Sequence, residues 1–66
     1  MSELAENTLR KMAKIFGGLI PIEDAVRELR AKGIDSPEQI IRKMLRDGRL
    51  YGPREGFLSF LGDSYG

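Results

Sequence analysis

The sequence contains no cysteine, no histidine and no tryptophan. Without cysteine the chain forms neither disulfides nor thiolate metal sites, and without histidine it lacks the usual general base and neutral metal ligand. It also lacks the Gly-Lys-Ser/Thr ending of a phosphate loop. We therefore expect no metal, no cofactor and no catalytic activity in the isolated chain.

Long apolar runs and a large net charge are also missing. No run approaches the roughly 18 apolar residues of a membrane span, and the N-terminus lacks the apolar region of a signal peptide. We therefore expect a cytoplasmic protein with no membrane partner. The net charge is +1, and 41% of the 66 residues are hydrophobic. This composition is typical of one small globular domain.

Three amphipathic segments predict three helices, near residues 3–17, 21–32 and 37–47. In each segment, apolar residues recur at the spacing of one helix face. The three faces consist of Leu9, Met12, Ala13 and Phe16, then Ile22, Ala25, Val26 and Leu29, then Ile40, Ile41, Met44 and Leu45. A glycine follows each segment, and glycine tolerates the left-handed conformation that ends helices.

The start of the third segment gives the sharpest local signal. Ser36 can cap the helix, Pro37 can occupy its first position, and Gln39 can complete a capping box. Ser2 can cap the first helix in the same way.

A β-hairpin is predicted after the third helix. Aromatic and apolar residues at 49–51 and 57–60 flank the Gly/Pro-rich loop 52–56, a pattern typical of paired strands. A short extended piece at Leu19-Ile20 gives a weaker strand signal between the first two helices. Tyr51, Phe57 and Phe60 are interpreted as the packing layer of the hairpin rather than as a surface for base stacking.

The order of these elements predicts a winged helix, an α+β and mainly α fold of three helices and a C-terminal β-hairpin wing. The short link between the second and third helices suits a helix-turn-helix. Residues 1–61 would form this single domain, and residues 62–66 a flexible tail. The residues expected to be most buried are Val26, Leu29, Ile41, Leu45 and Phe57, and Leu45→Ala is expected to cost about 2–5 kcal/mol.

Basic residues cluster in the third helix and the hairpin. Over residues 39–54, five basic side chains against the single carboxylate of Asp47 give a net charge of +4. The five are Arg42, Lys43, Arg46, Arg49 and Arg54. In a winged helix, the third helix can enter the major groove and the wing can lie beside a phosphate. The pattern indicates either weak, non-specific DNA contact or a solvated helix face with a Glu38–Arg42 pair.

The hairpin and two shorter stretches also carry a family pattern. The stretches are Gly17 to Ala25, Gly33 to Asp35, and Asp47 to Leu58. With them, the chain from Gly17 to Leu61 resembles the C-terminal winged-helix domain of archaeal MCM replicative DNA helicases. The wing pattern of that family is filled by Tyr51, Pro53, Arg54, Gly56 and Phe57. Gly52 stands where the family has an acidic residue, and Glu55 where it often has proline.

This resemblance implies a regulatory accessory domain outside the ATPase core of a hexameric helicase that acts in DNA replication. By resemblance, its partners are the MCM ATPase core and replication initiator proteins, with weak, non-specific DNA contact and a location at the nucleoid. The alternatives are a stand-alone winged-helix DNA-binding transcriptional regulator and a winged helix that contacts proteins only. A longer reading frame with an upstream phosphate loop would favour the helicase domain over the regulator.

Overall fold

Three helices and three short strands make up residues 3–61, the part of the chain that the computed structural model describes. In chain order they are α1 (Glu3–Ile15), β1 (Ile20–Pro21), α2 (Ile22–Ala31), α3 (Pro37–Arg46), β2 (Leu50–Tyr51) and β3 (Phe57–Phe60). The fold is therefore α+β and mainly helical, and the three predicted helices and the hairpin are confirmed. The predicted Ser2 cap and the predicted tail at 62–66 lie outside the described residues.

The sheet is antiparallel, and its last strand lies in the middle. Its order is β1-β3-β2. Ile20 pairs with Leu58 on one side of β3, and Leu50 pairs with Phe60 on the other. The sequence indicated β1 only weakly, because two residues carry almost no periodicity. Pairing with β3 makes this segment a strand, and its edge position tolerates Pro21, which has no N–H to donate.

The helices pack against one face of this sheet. α1 contacts β1 and β3, α2 contacts β1, and α3 contacts β2. The buried core consists of Ala5, Leu9, Met12, Ala13, Ile20, Ala25, Leu29, Ile41, Met44, Leu50, Leu58 and Phe60. All three helices and all three strands contribute to one continuous core, which fixes α3 and the hairpin relative to each other.

Two of the five residues predicted to be most buried, Leu29 and Ile41, are buried. The prediction for Leu45 is wrong, because 39% of its surface is exposed. The inward row of α3 is Pro37, Ile41 and Met44, and Leu45 lies about 100° further round the helix. The expected loss of about 2–5 kcal/mol for Leu45→Ala therefore no longer applies, because it assumed a buried leucine.

Val26 and Phe57 are also less buried than predicted, since both are only half-buried. Val26 packs at the margin of the core. Phe57 alternates with Leu58, so it lies on the opposite face of the sheet from the core.

A glycine turn connects α3 to β2. Gly48 has φ +79°, which allows the N–H of Arg49 to reach back to the carbonyl of Met44 at 2.9 Å. At the other end of α3, Pro37 lies in the first turn and Ser36 occupies the cap position, as predicted. The capping box does not form, because the Ser36 side chain makes no cap hydrogen bond. Its carbonyl instead accepts from the N–H of Gln39 at 3.1 Å.

Candidate nucleic-acid interface

The exposed face of α3 carries three of the five basic residues predicted to contact DNA. Arg42, Lys43 and Arg46 are all exposed and project away from the buried row of the helix. Lys43 Nζ lies 3.9 Å from Asp47 Oδ2. Arg42 and Arg46 have no carboxylate partner within residues 3–61, so two guanidinium groups one helical turn apart are available to anions.

The alternative interpretation of this face required an ion pair between Glu38 and Arg42. In the structure, Glu38 Oε2 instead lies 3.5 Å from Arg30 Nη2 on α2. The carboxylate therefore turns towards the neighbouring helix, and the charge of Arg42 is left uncompensated by it.

Polar groups lie beside these cations at the start of α3. A shallow depression is lined by Ile34, Asp35, Ser36, Gln39, Ile40, Arg42, Lys43 and Arg46. The hydroxyl of Ser36 and the amide of Gln39 are groups that hydrogen-bond phosphates or base edges. The surface thus combines positive charge with hydrogen-bonding side chains, as nucleic-acid interfaces do.

The other two predicted residues, Arg49 and Arg54, lie apart from this cluster. Arg49 Nη2 is 3.2 Å from Glu6 Oε1 on α1, so its charge is already compensated. Arg54 is exposed in the β2–β3 loop. That loop is held to the start of α2 by a hydrogen bond from Ile22 N–H to the carbonyl of Gly56, at 2.9 Å. The structure therefore brings three of the five residues together and separates the remaining two.

A second surface, the groove between α1 and α2, was missed by sequence reasoning. Its lining residues are Leu4, Asn7, Thr8, Lys11, Met12, Ile15, Phe16, Asp24, Arg27, Glu28 and Lys32. The sequence placed Phe16 on the core stripe of the first helix, but the helix ends at Ile15 and leaves Phe16 exposed. Ile15 is exposed over 78% of its surface. An apolar groove with charged edges is typical of protein contact surfaces.

The aromatic residues of the hairpin divide between the two faces of the sheet. Phe60 is buried in the core, as the predicted packing layer required. Tyr51 is exposed over 42% of its surface and Phe57 is half-buried. The alternation of side chains along a strand could have predicted this division. Once Leu50 is assigned to the core, Tyr51 must lie on the opposite face of the sheet.

Comparison with known proteins adds no further assignment to these surfaces. No protein-family model matches the chain, and neither a curated protein nor a solved structure matches it. Across residues 3–61, no three acidic side chains come together in an arrangement that could hold a metal ion. None of the helices in the same range is long and apolar enough to cross a membrane.

Proposed function

We propose that this domain is a winged helix that serves as a non-catalytic accessory domain of an MCM replicative helicase. The chain order helix, strand, helix, helix, strand, strand, with the last strand central, matches a winged helix. In this proposal α2 and α3 form the helix-turn-helix, and the β2–β3 hairpin is the wing.

The backbone of the hairpin supports the resemblance to the MCM family. Gly56 has φ +86°, a conformation that favours the glycine of the family pattern. Gly52, where the family has an acidic residue, is not among the glycines with positive φ. A Cβ at Gly52 would lie 3.6 Å from the carbonyl of Phe57, which is an ordinary contact. The Cβ of the typical family residue would therefore fit at this position without strain.

The observation that carries the proposal is the exposed cationic face of α3. Arg42, Lys43 and Arg46 lie on the helix that a helix-turn-helix protein places in the major groove. Three cations can neutralise only about three phosphates, so the affinity for DNA is weak and depends steeply on salt. This strength suits a domain that modulates a helicase bound to DNA through other parts of the protein.

The groove between α1 and α2 supports the protein contacts of the proposal. It shares no lining residue with the depression beside α3. A protein and a DNA duplex would therefore be contacted by different side chains. By resemblance, the partners at the groove are the MCM ATPase core and replication initiator proteins.

Fluorescence anisotropy with a short labelled duplex at low salt tests the DNA contact. Arg42→Ala with Arg46→Ala should abolish binding, whereas Lys11→Ala with Lys14→Ala, at exposed positions of α1, should preserve it. Both double variants remove two positive charges, so a general charge effect would weaken them equally and contradict the proposal. If the domain without substitutions does not bind the duplex, the basic side chains of α3 are only a solvated helix face. Nanomolar, sequence-selective binding would support the stand-alone regulator instead.

Binding to a purified archaeal MCM ATPase core tests the protein contact. Ile15→Asp should weaken it, because Ile15 is exposed in the groove and contributes little to folding. Leu61→Asp is the matched control, since Leu61 is an exposed apolar residue outside the groove. Equal effects of the two substitutions, or no binding at all, would contradict this part of the proposal.

A further inference from the structure

The face of the sheet that points away from the helices carries an unusual set of side chains. Leu50, Leu58 and Phe60 point into the core. The alternate residues of the same strands therefore lie on the outer face. They are Pro21, Tyr51, Phe57 and Ser59. This outer face has two aromatic rings and no charged residue.

The two rings are close neighbours across the strands. Tyr51 pairs directly with Ser59, and Phe57 precedes Ser59 by two residues on the same face. Tyr51 and Phe57 are thus diagonal neighbours, at roughly 7–8 Å, a distance within reach of aromatic side chains. Ser59 is the small residue beside them. Neither ring belongs to the buried core, so packing in that core does not account for their identity.

We propose that Tyr51 and Phe57 form a stacking platform for unpaired bases of a single-stranded nucleic acid. Aromatic rings on a sheet surface bind successive bases in this way, and the contact tolerates any sequence because every base has a π-face. This inference goes beyond the duplex contact proposed for α3 and does not depend on it.

An exposed cation beside the platform favours a nucleic acid as its occupant. Arg54, which is exposed, lies in the loop that joins Tyr51 to Phe57 along the chain. Its guanidinium group can contact a phosphate of a strand whose bases lie on the rings. Glu55 is the carboxylate that opposes such a strand, so its removal should strengthen binding.

Aromatic ¹H–¹³C NMR spectra of the full chain, titrated with single-stranded oligothymidylate at low salt, test the platform. Ring protons of Tyr51 and Phe57 should move upfield and saturate, because a stacked base shields them. An abasic phosphodiester of the same length should leave the rings unshifted. Shifts of equal size with both strands, or no shift with oligothymidylate, would overturn the proposal and leave this face to a protein partner.

Substitutions make the same test quantitative. Tyr51→Leu should weaken oligothymidylate binding at least about five-fold, and Tyr51→Phe should restore it. Phe16→Leu is the matched control, since Phe16 is exposed to a similar extent on the helical side. Glu55→Gln should tighten binding. Equal affinities for Tyr51→Leu and Phe16→Leu would refute the platform.

The α3 double variant separates this proposal from the previous one. Arg42→Ala with Arg46→Ala should lose duplex binding and keep the ring shifts with oligothymidylate. Loss of the ring shifts in that variant would show that strand binding depends on α3. It would overturn the proposed platform and leave the proposed duplex contact of α3 standing.

Discussion

Arg49 Nη2 lies 3.2 Å from Glu6 Oε1, so the residue that leads into the hairpin is held against the first helix. The second carboxylate oxygen of Glu6 accepts from Arg10 Nε at 3.1 Å. Arg10 in turn stacks over Phe60, with its Cζ 4.3 Å from the ring centroid. Through Glu6 and Arg10, α1 thereby contacts the residue before β2 and the ring of Phe60 on β3.

A double-mutant cycle on Glu6→Ala and Arg49→Ala should give a coupling free energy below about 1 kcal/mol, because both side chains are partly solvated. Urea unfolding curves measure it. We expect Glu6→Ala to destabilise the domain more than Arg49→Ala, since it also removes the acceptor of Arg10. The reverse order would show that Arg49 contributes through contacts other than this pair.

Two leucines provide a matched test of the core. Leu29→Ala should lower the free energy of unfolding by about 2–5 kcal/mol, because Leu29 is fully buried. Leu45→Ala should cost about 1 kcal/mol or less, since Leu45 lies off the buried row of α3 and is 39% exposed. In a domain this small, the first change approaches the entire stability. Thermal melts followed by circular dichroism distinguish the two, and similar losses would mean that Leu45 is buried.

Substitutions at Gly48 and Gly52 distinguish the effect of backbone conformation from the effect of the space available for a side chain. Gly48→Ala should destabilise the domain by about 1–2 kcal/mol, because its left-handed backbone disfavours a Cβ even though nothing lies within 4 Å. Gly52→Ala should be neutral or stabilising by up to about 1 kcal/mol, since that backbone accepts alanine. Chemical denaturation of both variants gives the comparison. A large loss for Gly52→Ala would show that the hairpin loop has a different conformation.

The salt dependence of duplex binding counts the phosphates that the domain contacts. If Arg42, Lys43 and Arg46 make these contacts, the logarithm of the binding constant should fall with the logarithm of salt concentration with a slope near −3. Arg46→Ala should reduce that slope by about one. Arg49→Ala should change it less, because Glu6 already neutralises Arg49. If Arg49→Ala reduced the slope as much as Arg46→Ala does, Arg49 would also contact a phosphate.

The helices and the hairpin could be predicted because their signals are local. Gly33 and Gly48 follow helices whose apolar residues repeat at helical spacing, and the Gly/Pro-rich loop separates two apolar strands. The strand at Ile20–Pro21 could not be predicted with the same clarity. Its strand geometry depends on pairing with Phe57 and Leu58, which are distant along the chain.

The site was harder to predict than the fold. Periodicity correctly placed Arg42, Lys43 and Arg46 on the outside of α3, since a helix face follows from spacing alone. It could not reveal that Arg49 pairs with Glu6, because that contact joins opposite ends of the domain. It also made the α3 core face too wide, since the buried row runs through Pro37, Ile41 and Met44 and Leu45 lies outside it.

The central position of β3 has a consequence for biosynthesis. β1 and β2 bond to β3 and not to each other, so no part of the sheet can form before Phe57–Phe60 has left the ribosome. Until then, Ile20 and Leu50 of the nascent chain lack their strand partners Leu58 and Phe60. A chaperone that binds apolar segments could bind them at this stage. A premature stop codon anywhere before Phe57 would therefore remove the whole sheet rather than a single strand.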